Sequence, residues 1–101
     1  MDENPADRVV FDKRKVSQMV SGLGSNWSVK NGRLQKEFEF KDFVSALLFV
    51  NEIGAIAERE NHHPHIELDY GRVRVSIYTH SVNALTLADF ILAEQIGEIR
   101  F

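Results

Sequence analysis

Residues 65–77 read HIELDYGRVRVSI, and their alternation decides the fold. Ile66, Leu68 and Tyr70 alternate with His65, Glu67 and Asp69; beyond Gly71, Val73, Val75 and Ile77 alternate with Arg72, Arg74 and Ser76. A strand turns successive side chains to opposite faces, so this pattern predicts an antiparallel hairpin with one face on a core and one in solvent. The segment before it has a different period. Phe43, Ala46, Leu47, Val50, Ile53 and Ala57 fall on one stripe of a long helix running from the N-cap Asp42 to about Glu60. Val44, Leu48, Phe49 and Ile56 widen its apolar surface, which suggests burial on two sides, one of them against a partner subunit.

Further out, Trp27 to Val29 and Leu34 to Phe40 read as a second hairpin, joined by Asn31-Gly32, the pair a type I′ turn prefers. A first helix is expected from Asp12 to about Ser21, with Val16, Met19 and Val20 on its inner side. A last helix is expected from near Thr86 to near Ile99, with Leu87, Phe90, Ile91 and Leu92 supplying its apolar side. The order is α-β-β-α-β-β-α. Its natural packing is an α+β fold: a four-stranded antiparallel sheet with three helices on one face. Residues 1–10 read as a flexible arm and 11–101 as one domain, since a chain of 101 residues closes a single core.

Composition narrows the function. A net charge of −3 argues against a general nucleic-acid binder. The absence of cysteine removes thiolate zinc sites and cysteine nucleophiles. The acidic start shows no secretory signal, and no run approaches the ~18 apolar residues of a membrane span. A soluble cytoplasmic domain is expected.

All four histidines gather around the second hairpin: His62, His63 and His65 flank Pro64, and His80 follows the last strand. Pro64 disfavours helical geometry at His63, so the long helix should end at or just before His62. Antiparallel pairing then carries His80 back beside the loop holding His62 and His63. Imidazole exchanges protons near neutral pH, so two histidines facing across a pocket suit general acid–base work. The same side chains are also nitrogen ligands for zinc, although adjacent histidines usually diverge. Ordinary surface and capping roles suit each histidine singly but do not account for the cluster.

A longer pattern accompanies the histidines: Glu58, then His62-His63-Pro64, Tyr70, His80 and Asp89, with Phe40-Lys41-Asp42-Phe43, Thr79-His80 and Leu85-Thr86 around it. Over about residues 26–98 the chain resembles the pterin-4a-carbinolamine dehydratases. That resemblance implies an enzyme without metal or cofactor. Its reaction would dehydrate 4a-hydroxytetrahydrobiopterin to the quinonoid dihydropterin, recycling the cofactor of aromatic amino-acid hydroxylases. It makes His62 and His80 the acid–base candidates and His63 a substrate-binding residue; Glu58 either orients a histidine or is an ordinary exposed carboxylate near the helix end.

Asp89 has two readings. Thr86-x-x-Asp89 is a capping box, and the family pattern also counts this residue, as a partner that would hold His80 in one tautomer. Trp27 and Tyr70 are flat enough to stack on a pterin, although aromatics in a domain this size are more often core residues, and neither is placed among the site residues. Family members commonly carry an acidic residue and an aromatic after the His-His-Pro, where this chain has His65 and Ile66. The implied partners are a pterin and further copies of the chain, as homodimer or homotetramer, with no nucleic acid or membrane. The scaffold also implies an alternative, a non-catalytic role as a transcription-factor dimerisation cofactor or assembly chaperone.

Overall fold

In the computed structural model, residues 5–24 and 26–100 are described; residues 1–4 of the expected arm lie outside them. A short 3-10 turn, Pro5–Asp7, precedes α1 (Lys13–Leu23) and packs against the last helix. Then come β1 (Ser28–Lys30), β2 (Arg33–Glu39), α2 (Phe43–Glu60), β3 (His65–Asp69), β4 (Arg72–Ile77) and α3 (Leu87–Gly97). The sheet is antiparallel throughout, in the order β1-β2-β4-β3. The expected fold is the observed one.

The local chemistry explains each element. Asn31 and Gly32 both take positive φ, 54° and 74°, as a type I′ turn demands. The Asp12 and Asp42 carboxylates cap α1 and α2, accepting from the amides of Lys15 and Ser45, each at 2.8 Å. Leu34 and Phe38 of β2 and Val73, Val75 and Ile77 of β4 turn inward onto Phe49 and Ile53 of α2 and Phe90, Leu92 and Ile96 of α3. The Phe38 and Phe49 rings meet with centroids 4.6 Å apart.

Two sequence assignments need correction. Phe43 and Leu47, expected on the core stripe of α2, are exposed, whereas Phe49 and Ile56 are buried. The helix is apolar around so much of its circumference that periodicity could not pick the side facing the sheet. The core seam is Ala46, Phe49, Ile53, Ile56 and Ala57. It leaves Phe43, Val44, Leu47 and Leu48 as an outward stripe, with Val44 65% exposed and Leu48 60% exposed. Leu87 is likewise exposed, and α3 buries Ala88, Ala93 and Ile96 instead.

The outer sheet face is polar and charge-matched. Arg74 lies between Glu37 and Glu67 in the register, and its guanidinium reaches Glu37 at 2.6 Å. Arg72 lies opposite Glu39 and Asp69 and bonds Asp69 at 2.6 Å. The β3–β4 turn is fastened to the end of β2, where the Phe40 amide donates to the Gly71 carbonyl at 2.8 Å. A Cβ at Gly71 would stand 2.8 Å from the Phe40 carbonyl oxygen, a backbone atom that cannot swing aside.

Gly71→Ala should therefore lower stability by about 1–3 kcal/mol, measured by urea unfolding. The hydrogen bond from Arg74 holds Glu37 below the usual carboxylate range. Its contribution is present above the ordinary carboxylate pKa and lost as pH falls through the depressed one. Arg74→Leu should thus flatten the fall in stability below ~pH 5, read from unfolding curves across the acid range.

Candidate functional site

The geometry begins at the end of α2. Asn61 adopts the left-handed conformation, φ 52° and ψ 41°, which few residues besides glycine tolerate as well as asparagine. The Asn61 amide donates to the Glu58 carbonyl at 3.3 Å and the His62 amide to the Ala57 carbonyl at 3.1 Å. This pair of bonds is a Schellman motif, which folds the second residue past the helix back against its last turn. That residue is usually apolar. Here it is His62, and it is driven inside, where only 9% of its surface remains exposed.

A buried imidazole needs a partner, and Asp89 supplies it. His62 Nε2 lies 2.6 Å from Asp89 Oδ1. Asp89 itself is fully buried. Its second oxygen, Oδ2, accepts from the Thr79 hydroxyl and from the Thr86 amide, both at 2.8 Å. The Thr79 and Thr86 hydroxyls share a further bond of 2.8 Å. Both expected readings of Asp89 meet in this network, with one change. It closes the N-terminus of α3 as half of a capping box, and the histidine it holds is His62, not His80.

Strand parity explains the change. From Ile77 the chain alternates inward and outward: Ile77 and Thr79 are buried, and His80 is exposed with its ring stacked on Tyr78, two residues earlier. Thr79 therefore reaches Asp89, and His80 lies on the other face. Continuing the β3–β4 register past His65 and Ser76 sets His62 level with Thr79 and His63 level with Tyr78. Burial agrees: His62 joins Thr79 inside, while His63 and His80 are both exposed.

The outer histidines have their own supports. His63 Nε2 lies 2.5 Å from Glu58 Oε2, so Glu58 backs His63. The His80 ring lies 4.3 Å from that of Tyr78, 27° from parallel. Tyr70 is not part of the cluster: it is 71% exposed at the β3–β4 turn, the opposite end of the hairpin. Trp27 is buried, edge-on to Phe38. His65 starts β3 with Nε2 3.4 Å from Glu67. A groove of about 660 Å³ is lined by Phe40, Ser45, Leu48 and Ile99 among others, and none of its lining residues is a histidine.

With Asp89 as the carboxylate, an acceptor only, His62 Nε2 must be the donor, which leaves Nδ1 free to take or give a proton. Among the described residues no three His, Cys, Asp or Glu side chains converge to hold a metal ion. Asn61 and Thr79 are the contributors that sequence reading missed. Their signals were an asparagine at the helix end and a threonine one residue, hence one face, away from His80.

The model of the family described as pterin 4 alpha carbinolamine dehydratase matches residues 10–99. The chain belongs to that family. A Rickettsia canadensis protein that carries a provisional pterin-4-alpha-carbinolamine dehydratase name is 43% identical over 87 residues, 85% of this chain and 80% of its own. A Nostoc punctiforme protein is 40% identical over 91 residues, 90% of this chain and 97% of its own. The crystal structure of a transcriptional coactivator/pterin dehydratase from Brucella melitensis superposes with a TM-score of 0.83 at 27% identity, covering 88% of this chain and 96% of that one. A pterin dehydratase-like protein identified as a RuBisCO assembly factor shares the fold, with a TM-score of 0.59 at 17% identity. It covers 77% of this chain and 96% of that one. Among the described residues of this dehydratase-family chain, no helix is long and apolar enough to cross a membrane.

Thr79→Val keeps the shape of the side chain but strips a donor from the buried Asp89 carboxylate. It should lower stability by about 1–3 kcal/mol, measured by thermal or urea unfolding, while Thr79→Ser should retain most of it.

Proposed function

We propose that the chain is a hydro-lyase that dehydrates 4a-hydroxytetrahydropterins, with His62, His63 and His80 as its working residues. The observation that carries the reading is the buried His62–Asp89 pair, 2.6 Å apart. A carboxylate aimed at one imidazole nitrogen fixes the ring's orientation and tautomer and leaves the other nitrogen for chemistry, as in other catalytic histidine–carboxylate pairs. Family membership supplies the substrate class.

The reaction suits imidazoles. The C4a–O bond breaks and the hydroxyl leaves as water after taking a proton from one histidine. The N5–H bond breaks, its proton passes to a second histidine, and the electron pair forms the C4a=N5 bond of the quinonoid dihydropterin. One proton is supplied and one is taken, so the net proton count is unchanged; passage of the proton from the second histidine back to the first, by way of solvent, restores the starting state. His62 and His80 fill these two roles, His63 with Glu58 orients the pterin, and no metal or cofactor takes part.

The same reading makes the working form a homo-oligomer. The outward stripe of Phe43, Val44, Leu47 and Leu48 supports this, since another copy would remove it from water. A role in coactivation or assembly alone would leave the buried His62–Asp89–Thr79 network without a purpose beyond structure.

A dehydration assay on freshly generated 4a-hydroxytetrahydropterin tests the proposal. Wild type should accelerate the reaction over buffer, and His62→Ala and His80→Ala should each lower kcat by about 10²-fold or more. No acceleration by wild type removes the enzyme reading. Acceleration unaffected by either substitution reassigns the residues.

A further inference from the structure

His80 is the one working histidine without a carboxylate beside it: among the described residues its side chain makes no hydrogen bond or ion pair, and its ring stacks on that of Tyr78. An exposed imidazole on a turn would ordinarily sample several rotamers, which is a poor basis for proton transfer at a fixed atom. What stands behind Tyr78 answers this. Arg33 Cζ lies 3.5 Å from the centre of the Tyr78 ring. The contact follows from the register: Leu34 pairs with Ile77, so Arg33 and Tyr78 are the next cross-strand neighbours on the outer face.

The same guanidinium reaches the turn that carries His80. Arg33 Nη2 donates to Asn83 Oδ1 at 3.2 Å, and the Asn83 amide donates to the His80 carbonyl at 3.2 Å. Thr79 and Ala84 close this turn with a backbone bond from the Thr79 amide at 3.0 Å. Arg33 is set in turn by the tight Asn31-Gly32 bend just before it. One side chain thus grips His80 twice, through the ring beneath it and through the turn around it.

We infer that Arg33 and Tyr78 are positioning residues for His80, fixing its ring plane so that its nitrogens meet a substrate at a set angle. This rests on the dehydratase reading for its catalytic consequence but not for its structural one. Neither residue touches the reacting atoms. Tyr78 supplies the surface on which the imidazole lies, and Arg33 holds that surface and the turn together by a cation–π contact and a hydrogen bond.

The test uses the full chain with two readouts. The first is the chemical shift of the His80 ring protons, which the current of the Tyr78 ring displaces upfield. The second is kcat and KM for 4a-hydroxytetrahydropterin. Tyr78→Leu should abolish the upfield displacement and lower kcat by about ten- to a hundredfold, the scale of a misplaced catalytic group, with KM changed far less. Tyr78→Phe, which keeps the ring, should restore both. Arg33→Leu, a change near the surface that spares the core, should move both readouts the same way by a smaller amount.

If Tyr78→Leu and Arg33→Leu both leave the ring-proton shifts in place, the inference is overturned. It is also overturned if the shifts move and the kcat of an active enzyme does not. A wild type with displaced shifts but no dehydration would instead count against the functional reading, leaving the Arg33–Tyr78–His80 stack intact.

Discussion

A carboxylate sealed from water must be paired, because an uncompensated buried charge costs more than most small domains can tolerate. Asp89 is that carboxylate here, and its donors come from three separate elements. His62 is delivered by the end of α2, Thr79 by the continuation of β4, and Thr86 by the N-cap position just before α3. Satisfying Asp89 therefore fixes how two helices and the sheet meet at one corner of the molecule. Its place in the first turn of α3 also sets the anion against the positive end of the helix. Fold and candidate chemistry share this one interaction.

Around that corner, strand parity sorts the histidines into an inner and an outer set. His62 and Thr79 fall inside; His63 and His80 fall outside, each with a different support. The inner imidazole is held by a carboxylate, His63 by an exposed glutamate, and His80 by a flat ring. The two sets thus present one deeply fixed imidazole and two held at the surface. The outer sheet face and the stripe of α2 are two further surfaces, one charge-matched and one apolar.

Much of this was legible in the residues. Period two in 65–77 and the Asn31-Gly32 turn gave the hairpins, and Pro64 gave the end of α2. The capping box at Thr86 and Asp89 was also readable, because caps are local. The partner of Asp89 was not. Choosing His62 over His80 requires knowing that Thr79, not His80, faces inward, and the parity of a chain leaving a strand is settled by tertiary packing. The inner side of α2 escaped for a related reason: apolar residues cover too much of its circumference, and Phe49 was chosen by its fit against Phe38 and Phe40. Arg33 carried no signal at all until the β2–β4 register set it beside Tyr78.

The most direct test of the account is the tautomer of His62, read from the nitrogen chemical shifts of the labelled imidazole in its neutral form. The account predicts a proton on Nε2, donated to Asp89, with Nδ1 unprotonated, and the loss of that preference in Asp89→Ala. A neutral His62 protonated on Nδ1 in the wild-type protein would contradict it.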